Sequence, residues 1–470
     1  MPSVDSVGYQ DLLRPVFAGR RVILAGGIAV GWTSTVPLVR SLGATDVLVI
    51  GTQGLGAGPL PDPAEAMVVA LRAPETDSTM ARIRTGLARL HAPPAEVVNA
   101  VRRFDPRREA LVLGDFLGTA PRLDGRPFLA YRRPEWVALE DKTRVDELWD
   151  RIGVERAPSI VVWAERSDLL DGAARVAGPA GSVWSGDARE GFNGGGEFVR
   201  WVHTQSDAEL ALQYFAAHCN RVRVMPFLDG VPCSIHGIVF PDHIAAVRPV
   251  EMVTLRRDRG DGQRGLFYAG CATFFDPPLA VRARMRKIAR LVGVALRADV
   301  DFRGAFTVDG VVVGDRFLPT ELNPRMGAGL NAVARGLPDL PLQLLMDTLV
   351  GGIDLGYVPA EFEADLVGAA DAHRFGGTWR AVSGAAIGSL VDVPLAFSDG
   401  IWRWALDGDP VAGTLTTGPD GHGTFVRCTF DPEVTPDGVS VGSRAVAFWD
   451  FADRELGTDV GPLSAASPEQ

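Results

Sequence analysis

Three polar residues spaced two apart, Glu321, Asn323 and Arg325, stand in the run Glu321-Leu322-Asn323-Pro324-Arg325. Side chains on a strand alternate faces with a period of two, so the three project from one side. A carboxylate and an amide oxygen are hard ligands for Mg²⁺, and a planar guanidinium takes phosphoryl or carboxylate oxygens. The set therefore suits a magnesium-bound polyphosphate. Far upstream, Lys142 stands in Glu140-Asp141-Lys142-Thr143-Arg144, just before a helical stretch. The 47 basic residues include only two lysines, Lys142 and Lys287. A chain that uses arginine almost everywhere and keeps a lysine here points to a need for a compact ammonium.

The elements that must position these groups are read from pattern and punctuation. Residues 19–51 give a strand (21–25), a glycine turn at Gly26-Gly27, a helix to about Leu42 and a second strand (46–50), an α/β opening. Gly26 through Thr33 has the outline of a phosphate-binding loop, but Trp32 stands where that loop needs lysine, so the turn reads as packing glycines or a rim for a small substrate. Helical periodicity follows around 76–103, then a strand at 110–113. Residues 119–134, rich in Pro, Gly and Arg, read as a linker. A short amphipathic helix at 143–152 leads through Ala157-Pro158-Ser159 to a strand at 160–163. A glycine-rich loop spans 185–196, and a helix near 207–218 precedes a strand at 221–224. The connector 225–230 enters another strand at 233–240, and Arg248 and Glu251 fall on a further one. His236, on an apolar strand, reads as a core histidine. After a helix at 279–296, residues 302–322 read as a meander with turns at Asp309-Gly310 and beyond. Past 350 short β-prone runs (377–383, 401–405, 423–430 and 443–448) alternate with turns and read as a smaller β-rich domain, and 456–470 read as frayed.

At 470 residues the chain calls for several domains, and its 46% hydrophobic and 22% charged content is ordinary for globular proteins. The net charge of −11, with no basic tract interleaved with aromatics, argues against a nucleic-acid groove. No apolar run approaches the roughly 18 residues of a membrane helix, and Met-Pro-Ser-Val-Asp is unlike a leader. No membrane association is expected, and the expected address is the cytoplasm. Cys219, Cys233, Cys271 and Cys428 are scattered and read as free buried thiols.

The order of these parts resembles the ATP-grasp superfamily over roughly residues 120–345, and most nearly the pheganomycin-type peptide ligases. Lys142 before a helix ending in Gly-Val-x-x-Ala-Pro, Asp187-Ala188-Arg189-Glu190-Gly191, Asn193-Gly194-Gly195-Gly196 and the run Glu321 to Gly329 carry the resemblance. It implies an α/β (α+β ATP-grasp) fold: an N-terminal α/β domain over 1–130, an ATP-grasp domain over 131–350 with subdomains of about 131–220 and 221–350, and a small β-rich region over 351–470. The implied activity is an ATP-dependent carboxylate–amine ligase that makes an amide or peptide bond through an acyl phosphate, in small-molecule or peptide natural-product biosynthesis. Implied cofactors are ATP and Mg²⁺, and implied partners are a small carboxylic acid and an amine, amino acid or peptide. A homodimer is one option for the assembly. A non-catalytic nucleotide-binding relative and an ATP-grasp kinase are the alternatives.

By the same resemblance, Lys142 reaches the ATP phosphates, Glu321 and Asn323 ligate Mg²⁺, and Arg325 holds the γ-phosphate or acyl phosphate. Arg303 steadies the tetrahedral intermediate. Ser185, Gly186, Gly194 and Gly195 belong to a loop closing over the phosphates. Met225, Phe227 and Leu228 hold adenine by main-chain bonds. Arg248 and Glu251 either line the substrate cavity or form a structural ion pair. The chain departs from the family pattern in three places. Trp184 or Ser185 stands where a second lysine is common, with Arg189 the candidate substitute. No acid stands near Ala305, with Asp301 or Asp309 the candidate replacement. The ribose-binding carboxylate falls near Pro232.

Overall fold

The computed structural model describes residues 6–56, 58–76, 78–191, 194–258, 264–337, 339–383, 387–420 and 423–466. The chain divides into two compact units, one of Met1–Pro134, Leu337–Asp365 and Gly418–Thr424, the other of Glu135–Gly336, Leu366–Thr417 and Phe425–Gln470.

The first unit opens with α1 (Ser6–Phe17), β1 (Arg21–Ala25), α2 (Thr35–Ser41), β2 (Asp46–Gly51), β3 (Met67–Ala70), α3 (Thr79–His91), α4 (Ala95–Phe104) and β4 (Leu111–Gly114). Its strands form a parallel sheet in the order β3-β2-β1-β4. The Val, Ile and Leu runs of β1, β2 and β4 are buried almost throughout, as a parallel sheet covered on both faces requires. The helical stretch around 76–103 is two helices, because Pro93 and Pro94 interrupt it. In the glycine turn after β1, a Cβ at Gly26 would stand 2.5 Å from Asp115 Oδ2, and Trp32 Nε1 donates to Gly26 O at 3.0 Å. A carboxylate fills that turn, so it offers no seat to a phosphate. Residues 119–134 are no linker. They form the ribbon β5 (Arg122–Leu123) and β6 (Arg126–Pro127), with Ala120, Leu123 and Phe128 in the core and a buried Arg126–Asp105 pair at 2.6 Å.

Next come α5 (Pro134–Val137) and α6 (Val145–Arg151), then β7 (Ile160–Trp163), α7 (Arg166–Val176), β8 (Ser182–Gly186), β9 (Val199–Val202), α8 (Gln205–His218) and β10 (Arg221–Pro226). The strands make an antiparallel sheet in the order β7-β10-β8-β9. Trp184, Val222 and Val224 bury one of its faces with Leu169 of α7 and Ala211 and Phe215 of α8. A second antiparallel sheet contains β11 (Val231–Val239), β12 (Ile244–Ala246), β13 (Val250–Asp258) and β14 (Arg264–Ala272), then, after the long α9 (Leu279–Val300), β15 (Gly304–Val313) and β16 (Arg316–Asn323). Its order is β14-β13-β11-β15-β16, with β12 on β11. Asp309-Gly310 is not a turn, since β15 runs through it and only the register with β16 shifts there. A Cβ at Gly310 would come within 2.5 Å of Leu318 O, so the glycine answers a close backbone approach at a bulge.

Beyond α10 (Ala328–Ala334), α11 (Leu342–Val350) and α12 (Pro359–Ala372), a five-stranded sheet has the order β17-β21-β20-β18-β19. Its strands are β17 (Gly377–Ser383), β18 (Leu390–Ser398), β19 (Ile401–Trp404), β20 (Gly413–Asp420) and β21 (Gly423–Phe430). The run 443–448, expected to be β, lies in α13 (Gly442–Leu456). Ala445, Phe448, Trp449 and Ala452 recur at helical spacing and bury one face. The segment expected to fray contains β22 (Leu463–Ser464), paired with β13. The strands past 377 share one core with β13 and β14, where Val253, Leu255 and Phe267 meet Trp402, Phe430 and Trp449. All four cysteines are free and buried. Among the described residues, no helix is long and apolar enough to cross a membrane.

Candidate active site

Two rows of polar side chains cross the sheet β11-β15-β16. In one, Ser234 lies opposite Asp309 and Asp309 opposite Glu321; in the other, His236 lies opposite Thr307 and Thr307 opposite Asn323. Hydrogen bonds follow the pleat. Ser234 Oγ donates to Asp309 Oδ1 at 2.5 Å, and Asn323 Nδ2 donates to Asp309 Oδ2 at 2.8 Å. Lys142 Nζ meets Glu321 Oε1 at 2.7 Å across 179 residues of sequence. Asp141 fixes the turn that presents Lys142, accepting from Thr143 N at 2.9 Å and Thr143 Oγ1 at 2.7 Å. Strand β16 stops at Asn323, so Arg325 joins through a turn, with its N–H on Asn323 O at 2.8 Å, rather than through the pleat. Its Nη2 returns to Asn323 Oδ1 at 3.0 Å, and its Nε reaches the buried Glu140 Oε1 at 3.0 Å.

Three carboxylates, on Glu140, Asp309 and Glu321, thus face two cations, on Lys142 and Arg325. Burial and the neighbouring charge of Glu321 hold the Asp309 carboxyl well above the ordinary range, against the opposing pull of Ser234, Arg325 and Lys142. Among the described residues, no group of three or more His, Cys, Asp or Glu side chains stands close enough together to hold a metal ion by itself. The donor set is instead two carboxylates plus an amide, hard oxygens that fit Mg²⁺ rather than a softer ion. Ligation by Asn323 requires its amide to turn away from Asp309. Of the two acids weighed as replacements for the one absent near Ala305, Asp309 joins the cluster, whereas Asp301 is exposed at the end of α9.

The face of β8-β10 opposite the Trp184 core carries Val183, Ser185, Arg223 and Met225. Ser185 and Gly186, expected in a mobile phosphate loop, are buried inside β8. A Cβ at Gly186 would stand 2.3 Å from Cys219 Sγ, so this glycine serves packing. Trp184 points into the core and donates to Ser182 Oγ at 2.9 Å. Arg189, the candidate for the missing cation, has its guanidinium on Ala217 O and Cys219 O. Gly194 and Gly195 lie in the turn into β9, with Gly195 at φ +61°; Asn193 lies outside the described residues. Met225 is paired with Val183 inside β10, and the Phe227 N–H already donates to Gly181 O at 3.0 Å. The Phe227 ring stacks on Trp201 with centroids 4.5 Å apart, while Leu228 is half-buried.

Arg303 precedes β15 and lies 3.9 Å from Asp301. Arg248 falls between β12 and β13 rather than on a strand, and is buried against Asp276 and Asp371. Glu251 accepts from Ser440 Oγ at 2.6 Å and Val441 N at 3.0 Å. The two residues do not pair with each other; each is held by other partners.

The sequence reading missed Ser234, Glu140 and the bracing under Arg325. His236 Nδ1 lies 2.8 Å from Thr307 Oγ1, and burial pushes the ring down to about 3, so it stays neutral. A Cβ at Gly329 would stand 2.3 Å from His236 Nε2, and one at Gly327 2.5 Å from Thr307 Oγ1. The Gly-x-Gly spacing after Arg325 was the available signal.

No family model and no curated protein sequence matches the chain. Solved structures do. The biotin carboxylase domain of Hydrogenobacter thermophilus 2-oxoglutarate carboxylase, in complex with MgADP, ADP and bicarbonate, aligns at TM-score 0.55 and 11% identity, over 87% of this chain and 86% of that one. Campylobacter jejuni biotin carboxylase in its β-γ-ATP complex aligns at 0.54 and 11%, over 93% and 91%. An L-amino acid ligase from Bacillus licheniformis aligns at 0.51 and 13%, over 93% and 98%. The fold is the ATP-grasp fold.

Proposed function

We propose that this chain is an ATP-dependent carboxylate–amine ligase that forms an amide or peptide bond through an acyl phosphate. The observation that carries the reading is the convergence of Lys142, Asp309, Glu321, Asn323 and Arg325, groups spread over more than a third of the chain. Similarity of fold to an L-amino acid ligase favours small amino acids or peptides as substrates.

A carboxylate resists attack by an amine because its carbon is electron-rich and oxide leaves poorly. Bound Mg-ATP supplies the phosphoryl group that turns that oxygen into a leaving group. The chain's part is positioning and charge neutralisation. Asp309, Glu321 and Asn323 would hold the metal through oxygen. Lys142 leaves Glu321 to meet phosphate oxygens as a point charge, and Arg325, oriented by Glu140, presents its guanidinium plane to the transferring phosphoryl group. Arg303 takes its role at the tetrahedral species by giving up Asp301.

The test is calorimetric titration with a non-hydrolysable ATP analogue and Mg²⁺, followed by phosphate release from amino-acid and peptide pairs. Release of ADP and phosphate that needs both an acid and an amine is expected; AMP and pyrophosphate would exclude the mechanism. A second reading draws on Ser185 and the buried Trp184, which leave the common lysine position without an ammonium. Binding of Mg-ATP without turnover across a broad panel would favour that non-catalytic relative.

A further inference from the structure

Arg223 is a guanidinium only 1% exposed, on β10 directly across from Ser185. Its Nε donates to Asp146 Oδ2 at 2.8 Å, and its Nη2 lies 2.7 Å from Asp146 Oδ1, an ionic contact too bent to be a hydrogen bond. Asp146 also accepts from Ser159 Oγ at 2.6 Å. On its other side, Arg223 Nη1 reaches Thr320 O at 3.4 Å and Met225 Sδ at 3.2 Å. These partners are informative by position. Asp146 stands in the first turn of α6, four residues after Lys142, and Thr320 immediately precedes Glu321. One rigid fork of donors therefore touches both segments whose side chains meet in the Lys142–Glu321 pair.

A buried ion pair is weak grounds for stability, since desolvation offsets most of its attraction. An apolar residue on this face would pack at least as well. What an apolar residue could not do is hold α6 and β16 at a set distance and angle from β10. Lysine could keep the charge opposite Asp146, but its single ammonium could not also span to Thr320.

We propose that Arg223 is a positioning residue, whose guanidinium fixes the spacing of Lys142 and Glu321 by tying α6 and β16 to β10. This rests on the ligase reading of the cluster, and it adds a residue whose partners are Asp146, Met225 and Thr320.

The full chain is titrated with a non-hydrolysable ATP analogue, with and without Mg²⁺, as wild type, Arg223→Lys, and the double variant Asp146→Asn with Arg223→Met. The double variant removes both charges, so it leaves no unpaired ion to unfold the protein. In wild type, Mg²⁺ strengthens binding. In both variants that metal-dependent gain should fall by about tenfold, the size of coupling expected between groups in one network, while metal-free affinity changes less than about twofold. Wild-type Mg²⁺ dependence in both variants overturns the positioning role. So does a loss that is equal with and without metal and follows the thermal midpoint, because a plain structural role predicts that. A wild type that binds no analogue sinks the ligase reading and this inference together, which separates the two failures.

Discussion

Glu321 brings a negative charge to a strand position directly opposite Asp309, and Lys142 and Arg325 are what make that tolerable. Glu321→Ala removes one anionic ligand from a divalent site, so metal-dependent turnover should fall by roughly 100-fold or more while the fold persists. Near-normal activity would place the metal elsewhere. Lys142→Ala should weaken ATP use without aggregation; an aggregating variant would assign the lysine to structure. The Asp309 carboxyl, held above its ordinary range, must lose its proton before it can ligate. Mg²⁺ affinity should therefore rise with pH between about 5 and about 8, and Asp309→Asn should flatten the rise. A flat wild-type titration would remove Asp309 from the metal site. These side chains were legible because their types are scarce or their spacing regular. Glu140, Ser234 and Arg223 were not, because contacts across 75 to 185 residues leave no local pattern.

Period-two alternation placed Glu321 and Asn323 on one face, and the pleat keeps them there. It failed at Arg325, where the strand has ended, and at Asp309-Gly310, where turn-like residues sit inside a strand because the backbone of β16 approaches too closely for a side chain. Helix α13 was missed for a related reason: the four apolar residues Ala445 to Phe448 satisfy either period, and only the longer recurrence of Ala445, Phe448, Trp449 and Ala452 decides. The segment after Arg325 gives a sharp test. Gly329→Ala drives a methyl against His236 and should cost about 1–3 kcal/mol and displace Arg325. Thermal denaturation and analogue affinity check it, and an unchanged variant would show that the bracing is slack.

Over the whole molecule, buried acids decide how stability follows pH. Burial pushes Glu251 up to about 7 and Asp347 up to about 8. Each keeps its proton in the folded chain at pH values where the unfolded chain has lost it, so their stabilising effect is full below about pH 4 and is lost as pH rises through those folded values. Asp409, drawn down to about 2 by the hydrogen bond from Arg403, acts only in acid and is silent in this window. The thermal midpoint should therefore fall as pH rises from about 6 to about 8, and Glu251→Gln should lessen the fall. A midpoint that climbs over that range contradicts the burial of both groups. The α/β opening was readable from end to end because parallel strands are continuous apolar runs. Past 350 the runs 377–383, 401–405 and 423–430 fall on β17, β19 and β21, whereas their place in the molecule was not legible, since these strands complete a core begun by β13 and β14 more than 100 residues earlier.

Sparse lysine use, combined with the enclosure of Lys142 against Glu321, makes the chain a two-address target for amine-reactive reagents. Lys287 is open on the outer side of its helix, while Lys142 is only 6% exposed. Acylation should mark the first quickly and the second slowly, and peptide mass mapping would read each separately. Loss of the Glu321 carboxylate should unmask Lys142 to the reagent, turning one ion pair into a footprint visible without any substrate.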